Sequence, residues 1–283
     1  MELIFSAALC SVLVSIFLKI SKSKGLDPLQ MIAWNYLAAS GLCFFWFKPN
    51  LANISISETP WWLIAVLGLC LPAIFFLLAK SLETAGILKT EVAQRLSVVL
   101  SLIAAYFLFN ESFSQLKIIG IGIGLIAVLM IVFMKSGGAA SSNSSQAIMS
   151  LLGVWFGYAL IDILLKYTTN LGLQFSVSLN LIFIFAFVIS IGFLAITNRK
   201  WSKENLLAGL SLGVLNFANI ALYVKAHMLL KDSPAVVFAG MNILVVVFGV
   251  IAGIVVFREK INLIMFLGVV MSILAVMSLS MSI

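Results

Sequence analysis

Charge is scarce in this chain. Asp, Glu, Lys and Arg together make up 10% of its 283 residues, whereas a soluble domain has about 25%. Hydrophobic residues make up 63% and the mean hydropathy is +1.20. A soluble fold has no interior large enough for this much apolar surface, so the composition indicates that lipid is the solvent. The net charge of +7 does not indicate a nucleic-acid partner, because Lys and Arg lie between the apolar runs, where membrane orientation requires them.

Residues that support catalysis or metal binding are equally few. The chain has one His and ten carboxylates, and it contains no HExxH, no Cys and His at ligand spacing and no Gly-x-Ser-x-Gly. Its three cysteines, Cys10, Cys43 and Cys70, lie inside apolar segments and are interpreted as packing residues. No soluble segment could bind ATP. We therefore expect neither an enzyme nor a primary pump, and neither a metal site nor a cofactor.

What the chain does have is ten apolar segments of the length that a membrane-spanning helix needs, about 20 residues. They fall at residues 3–21, 28–47, 60–82, 87–108, 115–134, 148–168, 174–197, 204–229, 233–256 and 262–281. No basic residue precedes the first segment and no small-x-small cleavage site follows it, so we expect a retained helix. The Gly- and Ser-rich stretch 136–147 is predicted to be a linker between two five-helix units, 1–135 and 148–283.

The two units repeat one pattern. Glu111, Gly120, Gly124 and Ala127 correspond to Glu259, Gly268, Ser272 and Ala275, and each pair is 148 residues apart. A duplicated unit with an odd number of helices enters the membrane in the opposite direction in its second copy. The sequence therefore predicts an all-α integral membrane protein with ten transmembrane helices arranged as two inverted five-helix repeats.

Basic residues in the loops indicate an orientation. When corresponding loops of the two halves are compared, eleven Lys and Arg fall on one side of the predicted membrane and four on the other. Basic loops stay in the cytoplasm. We therefore expect a multi-pass protein of the plasma membrane (the inner membrane of a bacterium) with both termini extracytoplasmic.

Polar side chains inside the spans are the candidate functional residues, because each costs a few kcal/mol in lipid unless it is paired or faces water. In the fourth span, Glu91, Gln94 and Arg95 share one face, and Asn242 corresponds to Gln94 in the second half. This group forms either a self-neutralising pair near the helix start or a charged cavity wall. Arg95 would suit a substrate carboxylate, because its donors form a rigid fork.

The sixth span places Trp155, Tyr158, Asp162 and Lys166 on one face. Asp162 corresponds to Ser15 in the first half, so the symmetry is broken at this position. A charge that breaks the symmetry suits a substrate site or a proton relay. The alternative is an ion pair within the helix, between Asp162 and Lys166.

The eighth span carries a four-residue polar stripe, Asn216, Asn219, Tyr223 and His227, at helical spacing. Such a stripe either lines a cavity or makes hydrogen bonds between helices. His227 is the only histidine and could titrate near neutral pH, although a single His can also be a packed or interfacial residue.

Ten predicted helices, a duplicated five-helix unit and a Glu-x8-Gly-x6-Ala signature in each half resemble the drug/metabolite transporter superfamily, EamA type. The chain departs from that pattern at Ala8, where the first helix lacks the usual Trp that Trp155 supplies in the second half, and at Asn35, where many members have Arg. The resemblance implies that Glu111 and Glu259 mark the ends of helices four and nine. It does not indicate a substrate.

These observations predict a secondary transporter, with export as the direction that the resemblance implies. It would move a small polar metabolite, such as an amino acid or a related compound, by alternating access through a central cavity lined by helices one, three, four, six, eight and nine. Helices five and ten would be peripheral. Proton coupling could use Asp162, Glu91 or His227, and the protein would be a monomer or weak homodimer. The alternatives are a flippase for a lipid-linked or isoprenoid substrate and a non-transporting membrane receptor or scaffold.

Overall fold

The computed structural model describes residues 1–51, 54, 59–109, 113–133, 144–171, 174–197, 199 and 201–282. The secondary-structure elements in these ranges are α-helices, in the order α1 (Glu2–Ser23), α2 (Pro28–Phe47), α3 (Trp61–Thr84), α4 (Ile87–Arg95), α5 (Ser97–Phe109), α6 (Gln115–Val132), α7 (Ser144–Asn170), α8 (Phe175–Ile196), α9 (Lys203–Leu229), α10 (Pro234–Val255) and α11 (Leu263–Ser280). All ten predicted segments are helical. The fourth consists of two helices, α4 and α5, interrupted at Leu96.

Nine spans in the described ranges are long and apolar enough to cross a membrane, with α4 and α5 counted together. The remaining predicted span, α2, is also long enough, at 20 residues. It is less apolar than the others, because it contains the buried polar residues Gln30 and Asn35. Both side chains face other helices and not lipid. The prediction of an all-α, multi-pass membrane fold is confirmed.

Several helix ends follow simple rules of local chemistry. Asp27, Ser114, Ser202 and Asn262 each precede a helix, and each accepts a backbone N–H from its first turn. These are the residue types preferred at that position. Pro28 and Pro234 occupy the first helical positions, where a missing N–H costs nothing. Residues 110–112, which include Glu111 of the first signature, lie outside the described ranges.

Contacts between helix ends define the two sides of the bundle. Lys19 at the end of α1 binds Glu259, which follows α10, and Glu259 also binds the start of α4. On the other side of the bundle, the Ser278 hydroxyl near the end of α11 donates to the backbone carbonyl of Leu116 at the start of α6. We call the side where α1 begins the terminal side and the other the opposite side. The first predicted span (α1) and the ninth (α10) thus end on the same side of the bundle, where the fourth (α4 and α5) begins. An inverted arrangement of the halves requires this.

Helix packing repeats when the two halves are exchanged. In the first half, α1 packs on α9 and α10, and in the second half α7 packs on α3 and on the α4–α5 pair. The peripheral pair is α6 with α11, where Gly120 lies against Leu279 and Gly268 against Ile131. Small residues let helix backbones approach closely in lipid. Each half therefore completes its packing against the other, and the cavity described below lies between them.

Candidate substrate cavity

A central cavity of about 800 Å³ lies between the two halves. Its volume is within the range of ligand pockets, about 300–1,000 Å³. The polar side chains on its wall are Tyr36, Gln94, Arg95, Ser97, Tyr158, Asp162, Asn216, Asn219, Tyr223, His227 and Asn242. Eight of the nine predicted substrate-binding residues are therefore brought together, and Glu91 is the exception.

The apolar part of the wall comes from α3, α5, α7, α8, α9 and α10, with Leu71, Phe75 and Phe183 among its residues. Two features differ from the expectation for the lining helices. The second and seventh spans (α2 and α8) also form the wall, whereas the first span (α1) reaches only a small side pocket. Tyr36 was not expected in the site, because nothing in an apolar run marks which face of α2 turns inward.

The cavity extends toward the terminal side. Phe175 at the start of α8 and Met228 near the end of α9 both line it, and both helix ends lie on that side. Both side chains are exposed. On the opposite side the lining stops within the helices, at Tyr36 and Gln94. The lining of the cavity therefore reaches the terminal side and ends inside the bundle on the opposite side, which we call the closed side.

Glu259 forms the centre of the closed side. One carboxylate oxygen accepts from Lys19 Nζ at 2.6 Å and from the Ile87 amide at 2.8 Å, and the other accepts from the Leu88 amide at 3.2 Å. Gly86 leaves the space for this carboxylate, since a Cβ there would lie 2.7 Å from an oxygen. Glu259 therefore caps α4, and a helix N-terminus favours negative charge.

A second polar network lies on the same side. Asp27 forms an ion pair with Arg199 at 2.9 Å, and its backbone N–H donates to Asn205 Oδ1 at 3.0 Å. Asn205 in turn donates to Gln30 at 3.2 Å. The network connects α2 with α9 and with the segment that follows α8, so it also joins the two halves.

Arg95 and Asp162 face the cavity from neighbouring helices. Arg95 Nη2 donates to Ser11 Oγ at 2.5 Å, and Asp162 Oδ2 accepts from Ser101 Oγ at 3.2 Å. Asp162 is exposed to the open volume of the cavity. In these hydrogen bonds each charged group meets a neutral serine hydroxyl. Both charged groups can therefore bind a ligand.

Three buried polar atoms around the cavity have no hydrogen-bond partner among the described residues. They are the Tyr36 hydroxyl, Arg95 Nε and Asn219 Oδ1. Buried polar groups are nearly always paired with protein or water. Together they offer a donor from arginine, an acceptor from an amide and a hydroxyl that can do both.

Glu91 lies behind the cavity wall. Its side chain is 1% exposed, and a Cβ added to Gly249 of α10 would lie 2.9 Å from its Cβ and Cγ. Neither carboxylate oxygen has a hydrogen-bond partner in the described part of the chain. Glu91 is therefore placed to affect the packing of α4 on α10 and does not reach the cavity directly.

A side pocket of about 30 Å³ adjoins the cavity. Ser11 and Ser15 of α1 line it together with Gln94, Asn216 and Asn219, which also line the main cavity. A polar space of this size is large enough for water.

The polar stripe of α9 serves two of the roles considered for it. Asn216 Nδ2 donates to Asn35 Oδ1 of α2 at 3.2 Å and also lines the cavity. Tyr223 and His227 meet edge to face with ring centroids 4.7 Å apart. His227 lies on the part of the wall nearest the terminal side. Asn242 donates within its own helix to the carbonyl of Phe238 at 2.9 Å.

The charged residues of the wall lie on the fourth span (α4 and α5) and the sixth span (α7). At the corresponding positions of spans nine and one, Arg95 is replaced by Ile243 and Asp162 by Ser15. The repeat that builds the scaffold is thus preserved, while the charges are confined to one pair of helices. In the described ranges no group of three or more His, Cys, Asp or Glu could hold a metal ion.

The fold and the cavity define the class: a multi-pass helical membrane protein with a polar cavity between its helices. The chain belongs to the EamA-like transporter family, whose model matches residues 2–133. It is also 38% identical over 285 aligned residues to an uncharacterized protein of Haemophilus influenzae, and the alignment covers 98% of this chain and 97% of that protein.

Proposed function

We propose that the protein is a secondary transporter of a small zwitterionic metabolite, an amino acid or a related compound, and that it works as an exporter by alternating access. The observation that carries this proposal is the pair of opposite charges, Arg95 and Asp162, on the wall of one cavity. A guanidinium binds a carboxylate through a fork of donors, and a carboxylate accepts from an ammonium group. Apolar residues such as Leu71 and Phe183 leave room for an apolar substrate side chain.

Alternating access requires a cavity that opens to one side at a time. The cavity here reaches the terminal side, while the Glu259 and Asp27 networks close the opposite side. If the basic loops are cytoplasmic, as proposed from the charge asymmetry, this conformation faces outward and both termini are extracytoplasmic. Labelling of a single cysteine near residue 2 in intact cells with an impermeant thiol reagent tests that orientation.

The transport test is counterflow in proteoliposomes with a panel of amino acids, matched with analogues that lack either the carboxylate or the amino group. Arg95→Ala should remove the preference for amino acids over analogues without a carboxylate, and Asp162→Asn the preference over analogues without an amino group. Each variant should lower the apparent affinity for the amino acid by about tenfold or more. Matched controls are Lys225→Gln and Asp232→Asn, because both side chains are exposed and do not line the cavity. If Arg95→Ala and Asp162→Asn leave every accepted solute unaffected, the site assignment is wrong.

Proton coupling is part of the proposal and rests on position. Asp162 is the carboxylate in the cavity, His227 lies toward its open end, and Glu91 lies behind the wall. We place coupling at Asp162, since it can exchange both protons and substrate. An imposed pH gradient should accelerate uptake by the wild type and not by Asp162→Asn. Equal acceleration of both would move the role to Glu91 or His227.

The same liposomes distinguish the other classes. Movement of a fluorescent lipid with no flux of any solute would support a flippase. No movement of either, with the protein folded, would support a receptor or scaffold.

A further inference from the structure

The fourth span is interrupted once, at the cavity wall. α4 ends at Arg95, α5 begins at Ser97, and Leu96 lies between them. The indole Nε1 of Trp155, on α7 of the other half, donates to the Leu96 carbonyl at 2.9 Å. Trp155 is 7% exposed and Leu96 is fully buried, so water does not compete for this bond.

The backbone at the interruption explains how that carbonyl can accept the indole. In an α-helix the carbonyl of residue i accepts from the amide four residues later. The Leu96 carbonyl instead accepts from the Val99 amide, three residues later, at 3.1 Å. A side chain that inserts into the backbone ladder is a recognised cause of a helix bend. The Trp155 donor therefore stabilises the interrupted geometry, because it supplies a second hydrogen bond to a carbonyl in apolar surroundings.

The symmetry-related pair of helices, span nine (α10) with span one (α1), is an internal control. Ala8 stands where the repeat would place the partner of Trp155, and an alanine side chain cannot donate a hydrogen bond. The counterpart of Leu96 is Leu244, which lies inside the uninterrupted helix α10. The interrupted span four thus receives a Trp donor from span six, whereas span nine is uninterrupted and the corresponding position of span one has no donor side chain.

The residues on either side of the interruption are cavity residues. Gln94 and Arg95 precede it, Ser97 and Val98 follow it, and all four line the wall. We propose that Trp155 is a positioning residue, which holds span four in its interrupted form and thereby aims Arg95 and Ser97 into the cavity. The part of this inference that concerns ligand affinity rests on the proposed function, whereas the part that concerns geometry does not.

The geometric test is cysteine labelling in purified protein. Cys10, Cys43 and Cys70 are replaced by Ala, Ser97→Cys is added, and the rate of modification by a small, charged thiol reagent is measured. Trp155→Phe keeps an aromatic ring but removes the donor, so the Leu96 carbonyl can take the regular helical bond and turn residue 97 away. We expect labelling to slow at least threefold.

Two variants control this measurement. Trp46→Phe makes the same chemical change at a side chain that is 58% exposed, and we expect wild-type labelling. Trp155→His retains a ring N–H at a similar reach, and we expect labelling within twofold of the wild type. Unchanged labelling in Trp155→Phe overturns the proposal. Equal slowing in Trp155→Phe and Trp155→His also overturns it, because packing and not the donor would then be responsible.

The affinity test uses the best-transported solute of the amino-acid panel. Trp155→Phe should raise its KM at least fivefold with little change in maximal rate, and the same substitution in an Arg95→Gln background should have no further effect. Additive effects in the double variant would refute action through Arg95. If the wild type transports no solute while Trp155→Phe still slows labelling, the proposed function fails and the geometric role of Trp155 stands.

Discussion

Replacing Glu259 by Gln should open the closed side of the transporter. The carboxylate accepts from Lys19 and from the amides of Ile87 and Leu88, and the side chains of Lys19 and Glu259 are only 20% and 17% exposed. A hydrogen bond to a charged group contributes about 1.5–3 kcal/mol. Gln removes the charge and retains a single acceptor oxygen, so we expect a loss of about 2–3 kcal/mol, a population change of roughly 30- to 150-fold.

The assay is labelling of Ser21→Cys in a protein without its three native cysteines. Ser21 is 4% exposed near the end of α1, on the closed side and away from the cavity wall. When opening is faster than modification, the labelling rate reports the open population. It should rise by tens of fold in Glu259→Gln. Glu204→Gln, an exposed acid in the first turn of α9, serves as the matched control.

An increase below threefold, equal to that of the control, would refute the assignment of Glu259 as the main closing contact. Lys19→Met provides a double-mutant cycle. Because the two side chains form one ion pair at 2.6 Å, their effects should be non-additive by about 1 kcal/mol or more. Additivity would show that Glu259 acts through the α4 backbone alone.

Two further predictions concern the packing of the halves. Gly209→Ala should destabilise the protein by about 2 kcal/mol or more, because the added Cβ would lie 2.7 Å from the Met31 carbonyl oxygen. Gly122 is the matched control, since a Cβ added there would have nothing within 4 Å. Gly122→Ala should therefore stabilise the protein by about 0.5–1 kcal/mol. Unfolding of both variants in mixed micelles measures the difference, and equal shifts would contradict the close approach of α2 and α9. Asn180→Ala removes a donor to the Ser40 carbonyl at 2.9 Å and should cost roughly 0.6–1.7 kcal/mol, the range of interhelical hydrogen bonds in lipid. A neutral result would show that this bond contributes nothing to holding α8 on α2.

The sequence predicted the spans well because the signal for them is local. Each helix needs only length and apolarity, so the predicted segment 28–47 coincides with α2 (Pro28–Phe47). The cavity stripe on α9 was also predictable, since residues at steps of three and four share a face whatever lies opposite.

The partners of these residues were not predictable in the same way. Glu91 and Arg95 are one turn apart, yet Arg95 faces the cavity and Glu91 packs against Gly249. Which atoms a side chain meets depends on the neighbouring helix, and that helix comes from the other half of the chain. Tyr36 was missed because an aromatic residue in an apolar run can face lipid, core or cavity.

The amino-acid sequence by itself determined a ten-span membrane protein made of two inverted copies, because apolar length, repeat spacing and the odd helix number are properties of the chain alone. Only the tertiary structure decided that Glu259 caps α4, that Trp155 meets the carbonyl of Leu96 and that one side is closed while the other is open. These contacts join residues far apart in the chain, and they form only where two particular helices pack at a particular depth.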